Sequence, residues 1–303
     1  MTLNRFLSSV SKPVVDHASP HPSPAPDSPI EVRTLRTHDE FVRCVDLQNE
    51  VWGPDFSERV PAAILKVAQR IGGIAGGAFV DDRLVGFVFG VTGVEHGRLV
   101  HWSDMLAVKG GMRDRGIGRR LKEYQRDTLR GLNVGRIYWT YDPLVSRNAH
   151  LNLTRLGARV TEYVPDMYGA ETSSTLHRGL GTDRFIVAWD IDGTPAEGTT
   201  HVSAATTKDS PILNPVVDGR PTVPDLTKHR RDVVVRIAVP AAIEEIQADS
   251  LSAATRWRVS TRCAILWAID AGYRVTGFVR EDADINYYVC TPNSGPPSGP
   301  TDP

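Results

Sequence analysis

The sequence is poor in cysteine. Its 303 residues include three cysteines, Cys44, Cys263 and Cys290. They form no C-x-x-C pair and no cluster with histidine, so their spacing predicts neither a disulfide framework nor a zinc site. Widely spaced free thiols are typical of a protein in a reducing compartment. We therefore expect a cytoplasmic protein that binds no metal.

Long apolar runs and an excess of charge of either sign are also absent. No segment approaches the roughly 18 apolar residues that a membrane-spanning helix needs, and the formal net charge is −1. The N-terminus lacks the apolar core and cleavage site of a signal peptide. We therefore expect neither nucleic acid nor a membrane among the partners, and any anion must be bound by a local arrangement of groups.

The remaining composition is that of a globular protein, with 41% apolar and 23% charged residues. Two stretches rich in proline, serine and threonine divide it. The composition predicts a disordered tail over residues 1–29, a main domain over 30–191 and a linker or long loop over 192–231. A smaller α/β extension that packs on the main domain follows over 232–291, and a second disordered tail covers 292–303.

Hydrophobic periodicity predicts a mixed α/β fold with an antiparallel front half. The order in the main domain is β-α-α-β-β-β-α-β-α-β-β. The predicted strands are 30–35, 75–80, 84–91, 99–108, 136–141, 159–164 and 185–191, and the helices are 39–52, 62–71, 116–132 and 148–156. In the extension we expect strands at 233–239, 273–278 and 285–290 and one helical stretch at 240–271.

The most informative segment is the turn between an apolar strand and the helix that starts near residue 116. Gly116 and Gly118 fall in the first turn of that helix, where missing side chains let an anion approach the backbone. Free N–H groups at a helix N-terminus bind phosphate oxygens. Four arginines, Arg113, Arg115, Arg119 and Arg120, add positive charge that suits a pyrophosphate and a 3′-phosphate. The spacing is not the G-x-G-x-x-G of a dinucleotide site.

The pattern Arg-x-x-Gly-x-Gly, placed after a strand and at a helix start, resembles the acyl-CoA motif of the GNAT superfamily of N-acetyltransferases. The resemblance covers residues 30–191. It extends to the tail, where Trp257-Arg258 and Gly272-Tyr273 are similar to a sparsely characterised bacterial subfamily with a C-terminal extension. It implies the GNAT acyltransferase fold, a mixed α/β sheet, for the main domain.

The resemblance also implies an enzyme that uses acyl-CoA, either acetyl-CoA or succinyl-CoA, as co-substrate. The acyl group would pass by direct attack to the amine of a small molecule such as an amino acid. In GNAT enzymes the strand before the phosphate turn diverges from its neighbour, and its backbone holds the pantetheine arm and the thioester oxyanion. By this resemblance, the main-chain groups of Leu106 and Val108 make those contacts here. It also implies further cofactor contacts at Ile117 and Asn148.

Strand alternation puts Trp102, Asp104 and Leu106 on one face, which makes Asp104 our candidate for the general base. Burial in a cleft would raise the pKa of its carboxyl and improve it as a base. Glu50 and His101 are reserves, and His101 fits a packed histidine better.

The usual GNAT general acid is a tyrosine in the helix after the fifth strand, and this sequence has Leu153 there. Either the thiolate leaves unassisted or another group, His150, Asn152 or Tyr141, donates the proton.

The acceptor pocket is predicted from aromatic and basic residues. Arg178 and Arg184, in a glycine-rich loop before the last strand, suit a substrate carboxylate, and Trp52 and Trp102 are candidates for the pocket wall.

Two alternatives stay open: a non-catalytic acyl-CoA-binding module, and another thioester reaction such as decarboxylation or O-acylation. The sequence also leaves a homodimer open.

Overall fold

The computed structural model describes residues 28–113, 115–169, 179–191, 207–223 and 233–293. Most of both predicted tails, much of the predicted linker and the predicted site residue Arg178 lie outside these ranges. Within them, no helix combines the length and the apolar character needed to cross a membrane.

The main domain is built on a seven-stranded sheet with the order β1-β2-β3-β4-β5-β7-β6. Neighbouring strands are antiparallel except for β4 and β5, which are parallel. This confirms the predicted mixed α/β sheet with an antiparallel front half. The strands are β1 (Glu31–Thr34), β2 (Ile74–Val80), β3 (Arg83–Glu95), β4 (Arg98–Val108), β5 (Arg136–Tyr141), β6 (Arg159–Val164) and β7 (Arg184–Asp190).

The parallel strands β4 and β5 diverge along their length. Their pairing begins with Val100 opposite Arg136 and ends with Trp102 opposite Tyr138. Beyond that point β4 continues for six residues to Val108 without a described partner on this side. The N–H and C=O groups of this part of β4 that point toward β5 are therefore available to a ligand between the strands.

Two hydrophobic cores cover the two faces of the sheet. Helices α1 (His38–Trp52) and α2 (Ala62–Arg70) pack on one face, where Leu47 and Leu65 of the helices share a core with Phe87 of β3. Helix α3 (Ile117–Arg130) packs on the other face through Ile117 and Leu121. Side chains of β2 and β3 alternate between the two cores, as the pleat of a strand requires.

Helix α4 (Ser146–Ala149) is short and continues as a π-helical turn, His150–Arg155. The sequence predicted an ordinary helix over 148–156. Turns of this kind are frequent at functional sites.

The C-terminal extension consists of a three-stranded antiparallel sheet and two helices. The sheet has the order β10-β12-β11, with strands β10 (Val235–Pro240), β11 (Tyr273–Arg280) and β12 (Ile285–Pro292). The predicted helical stretch 240–271 is two helices, α5 (Ile243–Asp249) and α6 (Leu251–Asp270). They are separated by Ser250, which has extended backbone angles and whose hydroxyl accepts a hydrogen bond from the amide of Ala253, capping α6.

Residues 207–223, which the sequence assigned to a linker, pack against the extension. They carry the short strands β8 (Val216–Val217) and β9 (Arg220–Pro221). The side chain of Asn214 accepts a hydrogen bond from the amide of Ala238 (2.8 Å) and donates one to its carbonyl (2.9 Å), and Leu213 is fully buried. This part of the predicted linker is therefore integral to the fold.

Candidate active site

A cleft of about 1020 Å³ opens where β4 and β5 diverge. It is bounded by α3, by α4 with its π-helical turn, and by residues of the C-terminal extension. Thirteen of the predicted site residues line it: Trp52, Asp104, Leu106, Val108, Arg113, Gly116, Ile117, Gly118, Arg119, Asn148, His150, Asn152 and Arg184. Among the described residues, Trp102 and Arg115 were predicted for the site but do not line the cleft.

The N-terminus of α3 opens into this cleft. Its N-cap is Gly116, with φ of 72° and no side-chain cap; this left-handed conformation favours glycine. The first amides of a helix have no partners within it, so they are free to bind an anion. A Cβ on Gly118 would lie 3.7 Å from Leu106 Cδ2 and 3.9 Å from Leu151 Cδ2, both on the cleft wall. Glycine there keeps the approach to the amides open.

The arginines of this turn divide into two groups. Arg113 and Arg119 line the cleft, although Arg119 also pairs with Glu123 (2.8 Å). In contrast, Arg115 donates to the carbonyl of Ser28 (3.2 Å) and Arg120 to the carbonyl of Ile30 (2.6 Å). Arg115 and Arg120 thus hold the segment before β1 and do not line the cleft, which corrects the phosphate contacts predicted for them.

A β-bulge in β4 changes which side chains face the cleft. Met105 pairs with Phe89 and Trp102 with Val91, so Ser103 and Asp104 together oppose the single residue Gly90. The bulge interrupts the alternation from which a common face was predicted for Trp102, Asp104 and Leu106. Asp104 and Leu106 line the cleft and Trp102 does not, so the pocket-wall role predicted for Trp102 has no support in the geometry.

The carboxylate of Asp104 is accessible through the cleft and has protein on several sides. Partial desolvation raises its pKa, and the nearby carboxylate of Glu58 raises it further. A carboxylate with a raised pKa binds a proton more readily than an ordinary aspartate, as a general base requires.

The two reserve candidates for the base are engaged elsewhere. Glu50 forms an ion pair with Lys109 (3.2 Å). His101 is fully buried, with ring nitrogens hydrogen-bonded to Thr92 and Gln125 (3.0 Å each). Burial lowers the pKa of His101 to about 3. His101 is therefore the packed histidine that the sequence favoured.

The candidates for the general acid differ in their surroundings. His150 lines the cleft, and burial together with Arg280 and Arg155 lowers its pKa. The side-chain oxygen of Asn152 accepts a hydrogen bond from the Trp139 indole (3.1 Å), so Asn152 also anchors the cleft wall.

The other two positions considered for the general acid are Tyr141 and Leu153. Tyr141 lines the cleft, its hydroxyl has no hydrogen-bond partner among the described residues, and burial raises its pKa. Leu153 packs against the core.

Aromatic and basic side chains also line the cleft. Trp52 stacks on Phe56 with ring centroids 5.4 Å apart. Arg184 is buried, donates to the carbonyl of Asp183 (2.9 Å), lies 3.9 Å from the carboxylate of Asp142 and lies 5.3 Å from the ring centroid of Tyr168. Desolvation lowers the pKa of Arg184. A buried guanidinium on a cleft wall suits the carboxylate of a small ligand.

Lys122 is the cleft residue that sequence reasoning missed. It is 3% exposed, yet it lines the cleft. Its Nζ donates to Ser103 Oγ (2.8 Å) and lies 3.9 Å from the ring centroid of Trp139. Desolvation holds the pKa of Lys122 well below its usual value. Its burial could have been predicted from the sequence, because Lys122 lies beside Leu121 and one turn before Gln125, on the side of α3 that faces the sheet.

The C-terminal extension also contributes to the site. Ile243, Glu244 and Gln247 of α5 and Arg280 of β11 line the cleft. A buried ion pair joins the two regions: Arg258 of α6 donates to both oxygens of Asp142, at 2.9 and 2.5 Å, and to the carbonyl of Leu180 (2.9 Å).

Similarity to known proteins is confined to structure. No family model and no curated protein matches the sequence. Similar solved structures include a GNAT-family acetyltransferase from Streptococcus pneumoniae (14% identity, 54% of this chain and 99% of that chain, TM-score 0.43). Others are the ribosomal-protein-S18-alanine N-acetyltransferase from Escherichia coli (15%, 55% and 97%, 0.42) and Arabidopsis thaliana Naa50 (17%, 52% and 97%, 0.42). The divergence of β4 from β5 described above agrees with the divergence that the sequence resemblance led us to expect.

Proposed function

We propose that this protein is an acyl-CoA-dependent N-acyltransferase. It transfers an acetyl or larger acyl group, succinyl included, from coenzyme A to the amine of a small molecule such as an amino acid. The observation that carries the proposal is the uncapped N-terminus of α3, which opens into the cleft between diverging strands β4 and β5.

The donor side of the cleft matches the parts of an acyl-CoA. The diphosphate binds the amides that follow Gly116, with Arg113 and Arg119 beside it. The pantetheine arm runs between β4 and the helix that carries Asn148, and the unpaired backbone of Leu106 and Val108 hydrogen-bonds it. The thioester then lies near the bulge, where β4 amides can stabilise an oxyanion.

The proposed chemistry is direct attack of a neutral amine on the thioester carbonyl. Asp104 accepts the amine proton, directly or through a water molecule, and its raised pKa suits this role. The sulfur leaves as a thiolate without a protein donor. Leu153 has no proton to give, and the raised pKa of Tyr141 makes its hydroxyl a poor acid.

The acceptor end favours a small amine that carries a carboxylate. Arg184 supplies a buried positive charge, and Tyr168 and Trp52 supply aromatic surface on the cleft wall. Burial strengthens the pairing of a carboxylate with a guanidinium, because water competes less for both groups.

Isothermal titration with acetyl-CoA and succinyl-CoA, followed by turnover with a panel of amino acids, amines and a peptide with a free N-terminus, tests the proposal. We expect both CoA binding and amine-dependent release of free CoA. Gly118→Glu should abolish binding, since its carboxylate would occupy the diphosphate site. The matched control is Gly93→Glu, on β3, where a Cβ meets no atom within 4 Å. Unchanged binding by Gly118→Glu would refute the site.

The principal alternative is a non-catalytic acyl-CoA-binding module, which the absence of the usual tyrosine favours. Tight binding of CoA without turnover across the whole panel would support that alternative. Release of carbon dioxide, or formation of an ester, would instead identify another reaction of the thioester.

A further inference from the structure

A buried serine–lysine pair lies on the wall of the cleft, on the α3 side of the sheet. Ser103 belongs to the bulge of β4, and Lys122 reaches it from α3 with Nζ 2.8 Å from Oγ. Both residues line the cleft and both are at least 95% shielded from bulk solvent, at 4% and 3% exposure. The acyltransfer mechanism proposed above uses neither side chain.

The surroundings of Lys122 favour an uncharged amine. Among the described residues no carboxylate lies within ion-pair distance of its Nζ; the neighbours are Ser103, the side-chain oxygen of Gln125 (3.5 Å) and the face of Trp139. Burial without a counter-ion disfavours the ammonium form, so the pKa of Lys122 falls well below its usual value. A neutral lysine amine can accept a proton, and the nearest group with a transferable proton is the Ser103 hydroxyl.

We propose that Ser103 is a nucleophile activated by Lys122, and that the pair gives the protein a second activity, hydrolysis of acyl-CoA through an acyl-serine intermediate. A hydroxyl within hydrogen-bond distance of a base is the arrangement that nucleophilic catalysis requires. The amides of β4 beyond Trp102, which have no described partner toward β5, are placed to stabilise the oxyanion. This inference rests on the donor site proposed above.

The reaction takes place in two balanced steps. First, Lys122 Nζ takes the hydroxyl proton while Ser103 Oγ bonds to the acyl carbonyl carbon. The carbon–sulfur bond then breaks, and the thiolate takes the proton back from Lys122 and leaves as free CoA. Second, a water molecule gives a proton to Lys122 and attacks the ester. The acyl–oxygen bond breaks, Ser103 recovers its proton from Lys122, and the carboxylic acid departs.

A different role for Lys122 would be to bind, as an ammonium, the distal carboxylate of a donor such as succinyl-CoA. The geometry favours the base, because the closest partner of Nζ is a hydroxyl and because burial opposes the charge that anion binding needs. The two roles predict different products, so one experiment separates them.

The experiment is incubation of the full chain with acetyl-CoA and with succinyl-CoA in the absence of any amine. Free CoA release is followed with a thiol reagent, and the quenched protein is analysed by intact mass and peptide mapping. We expect slow CoA release from both donors and one added acyl group on the peptide that contains Ser103. The rate should rise with pH along a limb set by the lowered pKa of Lys122.

Ser103→Ala and Lys122→Met should each lower amine-independent CoA release by roughly 100-fold or more, the usual contribution of a nucleophile or base. CoA binding by titration should be retained in both, which separates failure of this inference from failure of the donor site. Lys66→Met, a half-buried lysine of α2 that does not line the cleft, is the control and should behave as the wild type.

Three results would overturn the proposal: no acyl adduct and no CoA release despite CoA binding; an adduct that persists in Ser103→Ala; or a Lys122→Met variant that loses only its affinity for succinyl-CoA. The last result would assign Lys122 to binding of the donor carboxylate.

Discussion

The polar groups along the cleft of the main domain and those buried in the C-terminal extension differ in how many protein partners they have. In the sheet, the groups along the cleft have few protein partners: the first amides of α3 are uncapped and Lys122 has no described carboxylate nearby. In the extension, several buried polar groups are paired, as in Arg258 with Asp142 and Asn214 with Ala238, although Thr261 Oγ1 and Asn286 Oδ1 have no described partner. Unpaired polar groups are costly and are concentrated at functional sites. The main domain therefore carries most of the proposed ligand contacts, and the extension supports it and completes part of the cleft wall.

Loss of the ion pair between the two regions should have the largest effect on stability. Arg258→Ala leaves the buried carboxylate of Asp142 without its main partner, so we expect unfolding free energy to fall by about 3 to 5 kcal/mol. Urea denaturation measures the change. Arg256→Ala, exposed on the same helix, is the control, and equal stability of the two variants would contradict a supporting role for the extension.

Replacement of a cleft group in the sheet should affect turnover and leave stability nearly unchanged. Asp104→Asn removes the proposed base, so we expect kcat to fall by about 100-fold or more while CoA affinity is retained. In the wild type, activity should decline as pH falls through the raised pKa of Asp104, because only the carboxylate form accepts a proton. This acid limb should lie above the usual aspartate range and should disappear in the variant. Full activity of Asp104→Asn would exclude Asp104 as the base.

A more selective effect is expected at the acceptor end. Arg184→Met should raise KM by roughly tenfold or more for acceptors that carry a carboxylate, since a hydrogen bond between charged groups is lost. Acceptors without a carboxylate should be affected much less. Steady-state kinetics with an amino acid and its decarboxylated amine would show the difference, and equal effects on both would refute the carboxylate contact.

The smallest effect should come from Arg280, one of the cleft residues of the extension. Arg280 is exposed and lowers the pKa of His150, so Arg280→Ala should raise that pKa, which NMR titration can follow. Exposed charges contribute little, so ligand affinity should change by less than about fivefold. A loss as large as that of Asp104→Asn would mean that the extension takes part in the chemistry.

Periodicity predicted the elements of the main domain well because their apolar residues repeat at strand or helix spacing. β5 has the predicted bounds, and α1 and α2 differ from theirs by one residue. The turn at Gly116 and Gly118 was predictable because glycines at a helix start have a local physical meaning.

The features that were missed depend on contacts between distant segments. The bulge at Ser103 and Asp104 arises from the pairing with β3, which periodicity along one strand does not encode. Arg258 reaches Asp142 across 116 positions in the sequence. Lys122 resembles a surface residue until the packing of α3 on the sheet shows its burial.

A crystal structure of the protein with CoA bound tests the central claim most directly. We expect the diphosphate at the amides that follow Gly116 and the sulfur between β4 and β5, within reach of Asp104. A coenzyme bound elsewhere, or an N-terminus of α3 left empty at saturating CoA, would contradict it.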